Sequence, residues 1–309
     1  MSRARLSGGC DPSELAAPGV RSLHPYQPGK PISELEREYG VSDIVKLASN
    51  ENPLGPSPAA LEALAREVDE LALYPDGSGY LLRQRLAERH GVAPGAITLG
   101  NGSNDVLVLL AEAFLTPGDE AVYSQYCFAV YPIAVQAAGA KGVPAAARPA
   151  DGDQPLGHDL DAMRAAVGER TRLVFIANPN NPTGTWLEAG PLRAFLEDLP
   201  DHAIAVVDEA YHEYAVPLGL PDVSTWLDDF PNLVVTRTFS KAYGLAGLRV
   251  GYSLSSPAIA DLLNRVRQPF NVNSLAQAGA AAALDDDAFI ARSVAVNAEG
   301  LERLRSGLE

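Results

Sequence analysis

Short apolar runs alternate with longer amphipathic stretches along most of this chain, and that alternation is what most restricts its fold. Leu173–Ala177, Ile204–Val207, Leu233–Thr236 and Val250–Leu254 are almost wholly apolar runs of strand length. Such runs suit strands buried on both faces, as in a parallel sheet covered by helices. Ile97–Leu99, Glu120–Tyr123 and Asp43–Ala48 read as further short strands. Between them the spacing predicts helices over Ile32–Tyr39, Pro58–Leu71, Tyr80–His90, Asn104–Phe114, Phe128–Ala138, Pro191–Leu199, Ala276–Ala283 and Asp287–Leu308. Strands alternating with helices predict an α/β fold built on a mainly parallel, doubly wound sheet.

The 309 residues exceed what one small core needs and suit a large domain with a smaller part. Residues 1–45 read as an N-terminal arm, rich in Gly, Pro and Ser over its first 30 residues, and the start of a small domain. Residues 46–272 read as the large domain, and residues 273–309 as the continuation of the small one. The sequence stops at Glu309 within a helical stretch, so the small domain reads as incomplete and the chain as a fragment.

A net charge of −15 disfavours nucleic acid and anionic membrane surfaces as partners. Two cysteines, Cys10 and Cys127, supply neither a disulfide framework nor a metal cluster. Cys10 has no apolar core before it, so it is not read as a lipidation site, and no signal peptide or transmembrane span is evident. The expected location is the cytoplasm.

Four segments carry residues suited to chemistry, and each follows an expected strand. Gly100-Asn-Gly-Ser-Asn-Asp105 opens a helix, where free N–H groups and the helix dipole favour an anion. Taken alone it reads more readily as a simple cap with Ser103 at the N-cap. Asn178-Pro-Asn-Asn-Pro-Thr-Gly184 forces a compact turn from which Asn181 presents an amide. Asp208-Glu-Ala-Tyr211 sets a carboxylate at the mouth of a buried strand, where it needs a partner such as a protonated heterocyclic nitrogen. In the fourth, Thr238 and Ser240 precede Lys241, and Arg249 follows eight residues on. Two hydroxyls and a guanidinium make an anion cradle. A lysine beside that cation and partly out of water has a lowered pKa and an amine free for Schiff-base chemistry. Each segment alone also reads as an ordinary loop. A Rossmann nucleotide site is set aside, because Asp105 stands where the third glycine of its fingerprint belongs.

In this order the motifs resemble the fold-type I transferases dependent on pyridoxal 5′-phosphate (PLP), over nearly all of residues 25–309. Asn178–Gly184, Asp208–Tyr211 and Ser240–Gly251 carry the likeness. His24–Ile32, Leu47–Pro56, Tyr74–Asp76 and Arg267–Asn273 are similar to the histidinol-phosphate aminotransferases within that group. The resemblance implies that Lys241 forms the Schiff base with PLP and shuttles the proton. It implies Asp208 as partner of the pyridine nitrogen, Asn181 and Tyr211 on the ring oxygen, and Tyr126 stacked on the ring. Thr238, Ser240, Arg249 and the Gly102–Ser103–Asn104 turn would hold the phosphate. Tyr74 would reach the phosphate of a neighbouring subunit, so a homodimer with shared sites is implied. Tyr26 and Asn50 would lie near the substrate.

The implied reaction is ping-pong transamination between histidinol phosphate, a small-molecule amino donor, and 2-oxoglutarate, a step of histidine biosynthesis. By the same resemblance an arginine for the substrate's anionic group lies beyond residue 309. Two other readings share the Lys241 apparatus: an aromatic amino-acid aminotransferase or related PLP lyase, and an idle PLP-binding fragment. A regulator is disfavoured by the absence of a basic helix-turn-helix region.

Overall fold

The computed structural model describes residues 12–308; Cys10, the start of the arm and Glu309 lie outside the described residues. Seven strands form one sheet, β1 Ile97–Gly100, β2 Glu120–Ser124, β3 Lys141–Ala145, β4 Thr171–Ala177, β5 Ile204–Asp208, β6 Leu233–Thr238 and β7 Gly251–Ser255. Their order is β1-β7-β6-β5-β4-β2-β3. Neighbours from β6 through to β3 are parallel, and only β7 runs against both β6 and β1. The expectation of a mainly parallel sheet therefore holds.

Every residue of β1, β2, β6 and β7 is buried, as two covered faces require. Because side chains alternate along a strand, two cores form. Val174, Ile176, Ala205, Val207, Leu233 and Val235 join Leu82, Met163 and Phe195 on one face. Leu173, Phe175, Val206 and Val234 join Leu107, Leu110, Tyr131 and Leu263 on the other. The first face is covered by helices that include Tyr80–His90, Leu160–Ala166 and Ala189–Glu197; the second by Ser103–Phe114, Val130–Ala137 and Pro257–Val266.

Several expectations differ from the structure in detail. Asp43–Ala48 is not a strand. Asp43, Ser49 and Asn50 all take positive φ, which breaks an extended run at both ends. The arm is not wholly extended, since Pro12–Leu15 and Pro18–Arg21 form single helical turns. Strand β3 and the Leu160–Ala166 helix were not expected. In β3, Gly142 and Pro144 interrupt the apolar run, and the strand survives at the sheet edge, where proline is tolerated. The expected domain boundary at 272/273 falls just before the Ser274–Ala283 helix. Ala276, Ala280 and Ala283 of that helix share the core of Ala60 and Leu82.

Candidate active site

The carboxyl ends of β1, β4, β5 and β6 converge on a cavity of about 380 Å³. That is the place where open α/β sheets bind ligands, and the volume suits a small organic molecule. Asp208, Tyr211, Asn181 and Lys241 all line it.

Alternation along β5 decides which carboxylate enters the cavity. Asp208 shares its face with Val206 and is cross-strand neighbour to Thr236. Its Oδ1 accepts from the Thr236 hydroxyl at 3.0 Å, and its Oδ2 from the Tyr131 phenol at 2.8 Å. Burial pushes the carboxyl's pKa up; Tyr131, Thr236, the Ala210 N–H and the Lys241 charge oppose it. Glu209 points through the opposite face. There the Arg237 Nε and Nη2 donate to Glu209 Oε2 at 2.9 and 2.7 Å. The same guanidinium pairs with Asp222.

Lys241 follows β6 in a tight turn. Gly244 has φ +69°, and a Cβ there would lie 2.0 Å from the Gly55 carbonyl oxygen. Lys241 Nζ donates to the carbonyl oxygens of Ser49 (3.0 Å) and Asn50 (3.3 Å). It also stands 5.6 Å from the centroid of the Tyr211 ring. Burial lowers the amine's pKa, Glu51 and Asp208 oppose that, and Arg249 adds to it. The Tyr211 hydroxyl accepts from Asn50 Nδ2 at 2.8 Å, which leaves its own proton free to donate.

The anion end lies beside Lys241. Arg249 takes a left-handed conformation (φ +58°) that turns its side chain back, and Nη1 contacts Ser240 Oγ at 3.4 Å. Gly102, with φ +83°, caps the Ser103–Phe114 helix. A Cβ at Gly102 would lie 2.4 Å from Arg249 Nη2, so glycine is what lets the guanidinium reach the helix start. Ser103 is therefore the first helical residue and not the N-cap, and the cap makes no side-chain bond. Ser103 and Asn104 line the cavity, as do Thr238, Ser240 and Arg249. The first N–H groups of a helix have no partner within it, and Ser103 and Asn104 bring this helix start to the cavity wall.

Tyr26 and Asn50 also line the cavity, so the structure gathers most of the expected residues. Three it does not place in the wall. Gly102 sits behind Arg249. Tyr126 is exposed and absent from the wall, its backbone carbonyl accepting from Asn180 Nδ2 at 2.9 Å, and Phe128 lines the wall instead. Tyr74 stacks on Phe270, ring centroids 4.8 Å apart, and is 83% exposed. Phe128, Ser49, Tyr131 and Thr236 were missed. For Phe128 the signal was an aromatic just before the Val130–Ala137 helix; for Thr236, its pairing with Asp208 across parallel strands.

Comparison with known proteins agrees with this geometry. The family model described as aminotransferase class I and II matches residues 42–309. Histidinol-phosphate aminotransferase 2 of Methylococcus capsulatus is 61% identical over 293 residues, covering 95% of this chain and 79% of that protein. Histidinol-phosphate aminotransferase 2 of Pseudomonas aeruginosa is 58% identical over 295 residues, covering 95% and 78%. Among solved structures, histidinol-phosphate aminotransferase from Sinorhizobium meliloti, in complex with pyridoxal-5′-phosphate, superposes with a TM-score of 0.84. That pair is 32% identical, with 98% of this chain and 78% of the other covered.

Proposed function

The chain belongs to the class I and II aminotransferases and, within them, to the histidinol-phosphate aminotransferases, and from that premise we propose that it binds PLP and transfers the amino group of histidinol phosphate to 2-oxoglutarate. The observation that carries the proposal is the pairing in one cavity of a buried carboxylate, Asp208, with a desolvated amine, Lys241, beside an Arg249 anion cradle.

The residues present fit the cofactor. Asp208 is a buried carboxylate whose charge is opposed by burial, and a protonated pyridine nitrogen is the partner that restores it. Arg249, Ser240, Thr238 and the first turn of the Ser103–Phe114 helix suit a phosphate. When bound, PLP supplies an electron sink for the bond broken at the substrate's α-carbon.

The chain's own groups do the rest. Lys241 Nζ, its pKa lowered by burial, would hold the cofactor covalently and, once the donor's amine has displaced it, would be the free amine that takes and returns the α-proton. Tyr211 and Asn181, both in the cavity wall, would donate to the cofactor's ring oxygen. Phe128, in the cavity wall, would cover a face of the ring, the role first expected of Tyr126. Tyr26 and Asn50 border the space left for substrate. The carbonyls of Ser49 and Asn50 hold the Lys241 amine at the cavity wall while it is unengaged.

A homodimer completes the site in this reading. Tyr74 lies outside its own cavity, on an exposed surface with Leu73, Tyr80 and Leu81, and would be offered to a second copy. Among the described residues no helix is long and apolar enough to cross a membrane, and a cytoplasmic place fits a biosynthetic enzyme.

The test is an assay coupled to glutamate formation, run with histidinol phosphate and with phenylalanine as rival donors. Turnover is expected with histidinol phosphate and 2-oxoglutarate, at least about tenfold above phenylalanine. Preference for phenylalanine would move the protein to the aromatic aminotransferases. Binding of PLP with no turnover of either donor would favour an idle PLP-binding protein.

A further inference from the structure

We propose that Tyr131, seconded by Thr236, is the positioning residue that holds Asp208 ionised and aimed at the cofactor ring, and that it seats the ring-covering Phe128 at the same time. The inference rests on the PLP reading above and extends it to residues outside the cavity wall.

Tyr131 is fully buried in the Val130–Ala137 helix. Its ring stacks on Phe175 of β4, centroids 4.8 Å apart and planes 9° from parallel. Its other edge meets Phe128 at 5.9 Å and 86°. A phenol clamped between two rings has little freedom to turn, so its hydroxyl has a fixed direction. That direction ends on Asp208 Oδ2 at 2.8 Å. Thr236 holds Oδ1 at 3.0 Å from the neighbouring strand. With one hydroxyl on each oxygen, the carboxylate plane is fixed where Asp208 lines the cavity.

The other polar or charged groups about Asp208 are the Ala210 N–H, Lys241 and Tyr211. Lys241 cannot hold the carboxylate through a reaction in which its own charge comes and goes. Tyr131 can, because burial and the Asp208 charge both push its pKa well above the ordinary phenol value, so it stays a neutral donor. Hydrogen bonds to the charged form favour that form.

Tyr131→Phe keeps both ring contacts and removes the hydroxyl. The holoenzyme is titrated by the visible absorption of bound PLP, and PLP affinity is measured by equilibrium dialysis. With Asp208 less firmly ionised, the ring nitrogen keeps its proton less firmly and withdraws less from the rest of the ring. The absorption midpoint is then expected to rise by about half a pH unit or more. PLP binding is expected to weaken about tenfold. The catalytic constant should fall while KM for the amino donor stays put. Thr236→Val should shift the midpoint in the same direction by less, and it keeps the test available should the first variant fold poorly. In an Asp208→Asn background, Tyr131→Phe should cause no further shift.

A midpoint and affinity equal to wild type in Tyr131→Phe, or in Thr236→Val if only that variant folds, would overturn the inference. So would a shift that persists without the carboxylate. A wild-type protein that shows no PLP band at all would instead sink the cofactor reading.

Discussion

Asp208 and Glu209 sit one position apart at the end of β5, and their side chains leave opposite faces of the sheet. Only Asp208 lines the cavity; Glu209 is committed to Arg237. Asp208→Ala is therefore expected to lower the catalytic constant by about a hundredfold or more, with little change in unfolding free energy. Glu209→Ala should do the reverse. It leaves a buried guanidinium short of its main partner, at a cost of about 3 kcal/mol in urea unfolding, while PLP still binds. Equal loss of activity at similar stability would mean that the wrong carboxylate has been assigned. At this scale the sequence was legible where polar residues gather at or within four residues of the end of an apolar strand, as at Asp208, Asn181 and Lys241. It was not legible at Tyr126 and Phe128. Both are aromatics in a short loop, and which one turns inward depends on where the Val130–Ala137 helix begins. Tyr131 was hidden because a buried tyrosine on a helix face has the same sequence signature as a core residue.

Two glycine-bearing turns place the cation and the amine. Gly102 leaves room for Arg249, and Gly244 lets the turn after Lys241 pass against the Gly55 carbonyl. Their substitutions are expected to separate. At Gly102 the obstruction is the far end of a flexible side chain, so Gly102→Ala should displace Arg249 and weaken PLP binding more than it lowers stability. Both glycines have positive φ, so each alanine strains the backbone, but at Gly244 the obstruction is backbone as well, so Gly244→Ala should cost about 2 kcal/mol or more of unfolding free energy and more than Gly102→Ala. Dialysis against PLP and thermal melting of both variants check this. The apolar runs revealed the central strands because burial on both faces demands such runs. The edge strand β3 escaped because it pairs with β2 alone and tolerates Gly142 and Pro144.

Across the whole molecule, buried titratable groups set the pH range of stability. Burial lowers His90 to about 3, His158 to about 4 and His212 to about 4. His158 Nε2 lies 2.9 Å from the carbonyl oxygen of Ala177 at the end of β4, and the bond needs only a neutral ring. Each histidine binds a proton near pH 6.5 when unfolded and only near 3 to 4 when folded. Their contribution is thus complete above pH 6.5 and is lost as pH falls from there toward 4. Glu213, raised to about 7 by burial, acts the other way: its contribution is complete below about 4.5 and is lost as pH rises through 7. Asp208 and Glu209, also raised by burial, act in the same sense as Glu213, but all three histidine rings lose their contribution between pH 6.5 and 5, so the melting temperature is expected to be lower at pH 5 than at pH 7.5. Scanning calorimetry at the two values checks it; an unchanged or higher melting point at pH 5 would contradict the burial of these rings.

The central claim is that Lys241, at the end of β6, is the amine that engages the cofactor. The most direct measurement is borohydride reduction of the PLP-loaded protein, followed by peptide mass analysis. The expected result is one reduced pyridoxyl group, on the peptide containing Lys241, and none in Lys241→Ala. Label on a different lysine, or undiminished label in Lys241→Ala, would contradict the account.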